Sequence, residues 1–338
     1  MTIGIGMIGA GPIGRLFAQR IAQLEGVDLR AVCSGGDGDA DKLAADLAIP
    51  AVHRSLDGLV RDGSLDAVYV VTPPSSHLEH VSALLGAGKH VLVEKPMAMN
   101  AGEVETMSAA AEGTNRILME AFIAPFEPNI AAVRDAIGRI PQLRRVVLVK
   151  DQYSSRFDAY KDGQNPNAFD PAFGGGSIVD LGFYGVSLAV HLFGEPRSIS
   201  ATGTMLDSGA DGQGLIVLEY DGFEVDCLHS KIGTAGIPSQ IGGERAAIVF
   251  DDCMAPRQVQ LLEFGVPRQH PSALPGVKED LTRPRVAGHL DFVIDEFIRL
   301  IRDGSRQSSL HPLANTFIAH TLLDEARRQV GVRFPTDG

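Results

Sequence analysis

Hydrophobic positions in the first part of the chain come in short runs with no polar face. The runs IGIGMIG (3–9), LRAVCS (29–34), AVYVVT (67–72), HVLVE (90–94) and RILMEA (116–121) are apolar on both sides, as strands covered by helices above and below would be. Between them lie stretches with helical spacing: Ile13–Leu24, Ala40–Leu47, Ser75–Ala87 and Ala101–Glu112. Strands and helices in strict alternation predict an α/β domain built on a doubly wound parallel sheet.

After Ala121 the rhythm changes. LRRVVLVKDQY (143–153), RSISATGTM (197–205), GLIVLEY (214–220), FEVDCLHSKI (223–232) and RAAIVFD (245–251) follow with little helix between them. YDGF (220–223) has Asp-Gly at its centre and predicts a hairpin turn. Strands in succession predict an antiparallel or mixed sheet, hence an α+β domain. One helix, Gly176–Phe193, interrupts them, and two more, near 286–302 and 312–330, close the chain. We divide the sequence into residues 1–122 and 123–338, with the last helices free to pack back on the first domain.

Length agrees with two domains, since 338 residues exceed what one core usually serves. The net charge of −12 argues against a nucleic-acid backbone or an anionic membrane surface as partner. Cys33, Cys227 and Cys253 are far apart and fit no paired or zinc-type spacing. No run approaches the length of a membrane span. The start MTIGIGMIGAGPIG lacks the basic region of a leader and begins as a strand, so a cytoplasmic location is expected. No cluster of metal ligands is evident, and a metal-free mechanism is expected.

Candidate chemistry begins at GAGPIG. Gly9, Gly11 and Gly14 have the spacing G-x-G-x-x-G, directly after a strand and at the start of a helix. Gly9 would permit the turn, Gly11 would let the backbone approach a pyrophosphate, and Gly14 would let helix and strand pack closely. Pro12 and Ile13 open the helix whose N–H groups would face the phosphates. A tight turn that holds no ligand is the plain alternative. The second strand ends in Ser34, Gly35 and Gly36, with Asp37 only later and no arginine standing beside it. A hydroxyl and two small residues leave room for a 2′-phosphate, so the cofactor is NAD or NADP with a slight lean to NADP.

In a doubly wound sheet the ligand lies beyond the carboxyl ends of the strands. Thr72, Pro73 and His77 stand at one such end, and Glu94, Lys95 and Pro96 at the next. Lys95 would point into the crevice beside a nicotinamide, with Pro96 biasing it to an extended backbone. The second cluster is GGGSIVDLGFYGVSLAVHLFG (174–194). Asp180 and Tyr184 are four apart and share a helical face, which Ser187 and His191 continue. A carboxylate and a phenol there suit a polyol: Asp180 accepts from one hydroxyl and Tyr184 exchanges a proton with the one that reacts. The phenol, ordinarily near pKa 10, would need a neighbouring ammonium such as Lys95 to act as a base. A buried tyrosine with a solvated aspartate is the bland alternative, and His191 reads as structural.

GAGPIG, then VTPPSSHLEHVSALLGAGKHVLVEKPMAMN, then MEAF, then GGGSIVDLGFYG together resemble the Gfo/Idh/MocA oxidoreductases over most of the chain. The resemblance implies a Rossmann domain followed by an α+β domain with an open sheet, and NAD(P)-dependent chemistry on sugars, polyols and related alcohols. It implies that Lys95 is catalytic. Asp180-Leu-Gly-Phe-Tyr184 is similar to the subgroup of glucose–fructose oxidoreductase, dihydrodiol dehydrogenase and xylose dehydrogenase, in which the tyrosine is the acid/base. One departure is MEAFIAPFEPN, where Pro125 and Glu127 replace the subgroup's usual arginine and histidine, so its substrate does not carry over. Tyr153, Arg156 and Asn167 precede the active helix as candidate substrate-loop residues. A homodimer or homotetramer through the open sheet is expected. The alternatives are a dinucleotide-binding sensor without chemistry, and a dehydrogenase of a non-sugar, dihydrodiol-type alcohol.

Overall fold

Strand β1 (Ile3–Ile8) is buried along its whole length, which is why its run has no polar face. The computed structural model describes residues 2–35, 38–264, 276–285 and 288–337. Helix α1 (Pro12–Ile21), β2 (Val27–Cys33), α2 (Asp39–Leu47), β3 (Ala51–His53), α3 (Leu56–Arg61), β4 (Ala67–Val70), α4 (His77–Gly86), β5 (His90–Val93), α5 (Ala101–Thr114) and β6 (Leu118–Glu120) follow in alternation. Among the described residues they form a six-stranded sheet in the order β3-β2-β1-β4-β5-β6. All its pairs are parallel, so the doubly wound expectation is met. The order reverses between β1 and β4, which opens a crevice at their carboxyl ends. The short β3 and α3 are additions to the sequence reading.

The remaining elements are α6 (Pro128–Ala136), β7 (Leu143–Asp151), α7 (Phe157–Lys161), α8 (Phe183–Phe193), β8 (Ser198–Met205), β9 (Asp211–Tyr220), β10 (Phe223–Ser230), β11 (Ser239–Gly243), β12 (Ala246–Phe250), β13 (Val259–Glu263), β14 (Gly276–Asp280), α9 (His289–Asp303) and α10 (Leu313–Val330). Strands β7 to β14 form an eight-stranded sheet among the described residues, ordered β14-β13-β12-β11-β7-β10-β9-β8. Among the described residues only the β7–β10 pair is parallel, so the sheet is mostly antiparallel as expected.

The chain divides into two compact units, Met1–Phe122 with Gly288–Phe317 and Ile123–Ala287 with Ile318–Gly338. The segment 288–317, assigned to the second domain in the sequence reading, thus returns to the first unit, where Arg20 of α1 binds Asp295 of α9 at 2.7 Å. The second unit is centred on α8. Gly185 lies close on Cys227 of β10, while Phe183, Val186, Leu188 and Val190 are buried. Each such side chain contributes roughly 1.5–3 kcal/mol relative to exposure. Contrary to the expectation from the sequence, the segment Pro171–Phe193 is long and apolar enough to cross a membrane, but most of it is buried in this packing.

Helix α8 does not begin as a regular helix. Ile178–Gly182 form a π-helical turn ahead of it, where the sequence predicts continuous α-helix from Gly176. Its i→i+5 bonding widens the turn. Residues four apart still fall near one full revolution in such a turn.

Candidate active site

The glycine turn after β1 shows what each glycine is for. Gly9 has φ +107°, and a Cβ there would stand 2.3 Å from the carbonyl oxygen of Val71. A Cβ on Gly14 would meet the Gly9 carbonyl at 2.4 Å. Gly11 is different: its backbone is ordinary, with φ −68°, and nothing lies within 4 Å of its Cβ position. Packing does not require glycine at 11, whereas a ligand laid against the backbone would. No side chain caps α1, so the N–H groups behind Pro12 and Ile13 remain for an anion. These residues fit the pyrophosphate of a dinucleotide.

At the end of β2, Ser34 donates its backbone N–H to the carbonyl of His53 on β3. Arg54 follows directly. Burial raises the Cys33 thiol, and the Arg54 guanidinium nearby partly offsets that. An arginine therefore does stand beside the end of β2, contrary to the sequence reading. It arrives on a strand too short to be recognised, and Asp41 holds it at 2.5 Å. Gly36 and Asp37 lie outside the described residues.

The ends of β4 and β5 are tied together. Thr72 meets His80 through its hydroxyl at 3.1 Å. His77 is fully buried, with Nε2 at 2.8 Å from the Thr72 carbonyl and Nδ1 at 3.1 Å from the Met97 carbonyl. Burial holds its imidazole down to about 4 although both carbonyls favour the cation. Both ring nitrogens thus face main-chain carbonyls, and the neutral ring donates its one N–H to one of them. His77 braces the two loops instead of touching a ligand, which corrects the expectation for it. Pro73 is exposed on the crevice rim, while Glu94 and Lys95 are half-buried.

The Lys95–Pro96 peptide is cis. Glu94 accepts from the Tyr69 hydroxyl and, at 3.2 Å, from the backbone N–H of Lys95. Burial raises the Glu94 carboxyl, against the Tyr69 hydrogen bond and the Lys95 charge. Beneath the loop, buried Glu120 accepts from the Met97 N–H at 2.8 Å, with the Thr316 hydroxyl and His311 Nε2 each at 3.1 Å. Nothing in the sequence around MEAF marks a role for Glu120. The structure gives it the loop that carries Lys95.

In the second unit, Asp180 accepts from Lys231 Nζ at 2.8 Å, and the same ammonium bonds the Ala168 carbonyl at 2.9 Å. Lys231 is 3% exposed, so this is a buried ammonium aimed at the candidate carboxylate. The sequence reading missed it, since a lysine closing a strand has no distinguishing spacing. Asp211 receives the backbone N–H of Ile178 at 2.9 Å and anchors the π turn. A Cβ on Gly176 would stand 2.6 Å from its Oδ1. Burial raises Asp211 to about 7, partly offset by backbone N–H groups and the Lys231 charge. His229, held down to about 4 by burial, contacts the Ser177 hydroxyl at 2.9 Å from below.

Tyr184 is 9% exposed, and Lys150 Nζ lies 5.5 Å from its ring centroid. Ser187 is buried in the helix and His191 half-buried. In the preceding loop, Tyr153 donates to Asp158 and packs edge-on against Phe157, which leads through Tyr160 to buried Phe169. The Lys231 ammonium lies 5.2 Å from the Phe169 ring. Arg156 is exposed, and the carbonyl of Asn167 packs on Gly175. Glu127 is fully buried against Arg285 at 3.3 Å, so that departure from the subgroup's pattern is an internal ion pair.

Two family models match the chain. An oxidoreductase family with an NAD-binding Rossmann fold, GFO_IDH_MocA, covers residues 3–122, and the GFO/IDH/MocA C-terminal domain covers 137–249. The scyllo-inositol 2-dehydrogenase (NADP(+)) IolU of Bacillus subtilis is 34% identical, with 99% of each chain covered. The trans-1,2-dihydrobenzene-1,2-diol dehydrogenase of Mus musculus is 28% identical over 100% of this chain and 99% of that one. A 3-ketoreductase from Actinomadura kijaniata, solved with NADP and TDP-benzene, superposes with a TM-score of 0.83 at 19% identity, covering 98% of each chain. That likeness is one of fold.

Proposed function

The chain belongs to the Gfo/Idh/MocA oxidoreductase family, and from that premise we propose how its residues divide the work. It is an NAD(P)-dependent oxidoreductase acting on the CH–OH group of a sugar, polyol or related alcohol. The bound dinucleotide supplies the hydride acceptor or donor. Gly9, Gly11, Pro12 and Ile13 hold its pyrophosphate, with Ser34 and Arg54 at the ribose. Thr72, Pro73, Glu94 and Lys95 line the strand ends beyond. Tyr184 exchanges the proton of the reacting hydroxyl at its phenolic oxygen, Asp180 orients the substrate, and Lys95 supplies positive charge.

The observation that carries this reading is the Asp180–Lys231 pair. A buried ammonium fixes the carboxylate one turn before the tyrosine. Two acceptor groups so placed suit neighbouring hydroxyls on one ring: one is held while the other reacts. The substrates in the names of the two relatives, scyllo-inositol and a trans-1,2-dihydrobenzene-1,2-diol, share a six-membered ring with adjacent hydroxyls. We assign this chain a cyclic vicinal diol of that kind. The test is absorbance at the nicotinamide band with inositols, aldoses, aromatic dihydrodiols and acyclic polyols, each with NADP and NAD. Turnover confined to acyclic alcohols would overturn the substrate class, and none with any alcohol would overturn the reaction.

NADP is the assigned dinucleotide, supported by Ser34 where an acidic residue would directly follow β2 and by Arg54 beside it. Arg54→Ala should raise the Kd for NADP about tenfold, the worth of one charge-assisted contact, and leave NAD nearly unchanged. Fluorescence titration reads both. Equal losses for the two would sink the assignment.

A homodimer or homotetramer belongs to the same reading. On the face of the second sheet away from α8, Arg145 pairs with Glu224 and Asp226 beside half-buried Val147, Leu215 and Val217. A single-chain mass by sedimentation at micromolar concentration would refute it. The three buried, unpaired cysteines support the cytoplasm as its place.

A further inference from the structure

We propose that Lys150 is a positioning residue of the reaction, whose ammonium, set against the ring of Tyr184, governs how readily that tyrosine gives up its proton. The proposal rests on Tyr184 being the acid/base. On strand β7, Val146 and Leu148 are fully buried, Leu148 against Gly185 of α8, and Lys150 is the next residue on that side. An apolar residue would continue the pattern at no electrostatic cost. Instead the strand delivers an ammonium whose side chain is only 11% exposed. Its Nζ lies 5.5 Å from the Tyr184 ring centroid and 2.7 Å from Asp252.

A cation near an aromatic ring is attracted by the ring's electrons. It is attracted more strongly when the ring belongs to a phenolate, because the oxygen's negative charge spreads into it. The ammonium therefore favours the deprotonated tyrosine. Asp252 opposes this by neutralising the lysine. Burial pushes the Asp252 carboxyl up, but the Lys150 charge and the N–H groups of Met254 and Ala255 leave it below the ordinary range, so it is ionised. Asp180 with its partner Lys231 stands one turn back from Tyr184, and the Cys253 thiol, pushed up to about 12 chiefly by burial, lies within reach of the Lys150 charge. His191 follows two turns on, and His320 packs on the adjacent Phe183 ring. Lys150 meets the ring itself, and Asp252 sets how much of its charge the ring feels.

The two residues therefore act in opposite directions. In Lys150→Met, the limb of kcat/KM for alcohol oxidation that rises as Tyr184 deprotonates moves up by about one pH unit, with about tenfold less activity at neutral pH and recovery at high pH. The limb that falls with pH in carbonyl reduction moves up equally, so reduction persists to higher pH. In Asp252→Asn the limb moves down, and the amide oxygen still serves the N–H groups of Met254 and Ala255. Lys150→Arg returns the limb toward its native position.

A Lys150→Met enzyme that melts normally but shows an unmoved limb, or a loss equal at every pH, overturns the proposal. If Lys150→Met does not fold, an unmoved limb in Asp252→Asn does the same. Tyr184→Phe separates the two readings. If it keeps activity with the native limb, the assignment of Tyr184 falls. If it is inactive while Lys150→Met is unshifted, only the role of Lys150 falls.

Discussion

Tyr184→Phe lowers kcat by about two to four orders of magnitude while dinucleotide affinity is unchanged. The ring and its packing stay, since a phenyl group fits the same space against Phe183 and Lys150, so the loss is that of one oxygen and its proton. Truncations that remove a buried ring create a cavity and confuse the result, which is why phenylalanine is the informative choice. Single-turnover rates with each dinucleotide, beside a binding titration, measure the two quantities separately. Lys95→Ala belongs in the same experiment. If the lysine and the phenol serve one reacting oxygen, the double variant loses much less than the sum of the two single losses. Full additivity would mean that the two side chains contribute independently. A Tyr184→Phe enzyme within tenfold of native turnover would remove the tyrosine from the mechanism.

Glu120→Ala is the second large effect, and its first readout is stability. The carboxylate is 1% exposed and serves the Met97 N–H, the Thr316 hydroxyl and His311. Removing it leaves buried polar groups without their acceptor, which costs about 1–3 kcal/mol for each one unpaired. Two or three such groups correspond to a melting temperature lower by about 10 °C for a unit of this size. Glu120→Gln keeps an acceptor for Met97 and should fall between the alanine variant and native. A calorimetric melting point for the alanine variant within about 2 °C of native would show that the network is dispensable.

The long apolar runs made the first sheet legible because parallel strands covered on both faces have no choice but to be apolar throughout. The runs of β1, β4 and β5 carry that signature unmistakably. Strand β3 does not: Ala-Val-His is three residues at a sheet edge, too short to show a period. With it went Arg54, whose proximity to β2 exists only because β3 pairs there. In the second sheet, Ser-Gln-Ile-Gly-Gly of β11 is mostly glycine and serine and resembles a loop until β7 and β12 pair with it.

The candidate site was legible where its residues are close in sequence. Gly9 to Gly14 sit in one turn, and Asp180 and Tyr184 on one helix. Lys231 and Lys150 were not, because each reaches from a strand end to a helical residue far away in sequence. For Lys150 a signal did exist: a lysine in register with Val146 and Leu148 on the buried side of a strand. For Lys231, and for the π turn that carries Asp180, local spacing holds no comparable clue.

The first unit is assembled from two distant stretches of the chain, Met1–Phe122 and Gly288–Phe317. During synthesis, its opening strands leave the ribosome long before His311 and Thr316 exist. Until those residues emerge, the acid at position 120 has neither of its late partners, and the face of α1 that later meets α9 is bare. The dinucleotide domain therefore waits, begun but unfinished, while all but the last helix of its neighbour is translated.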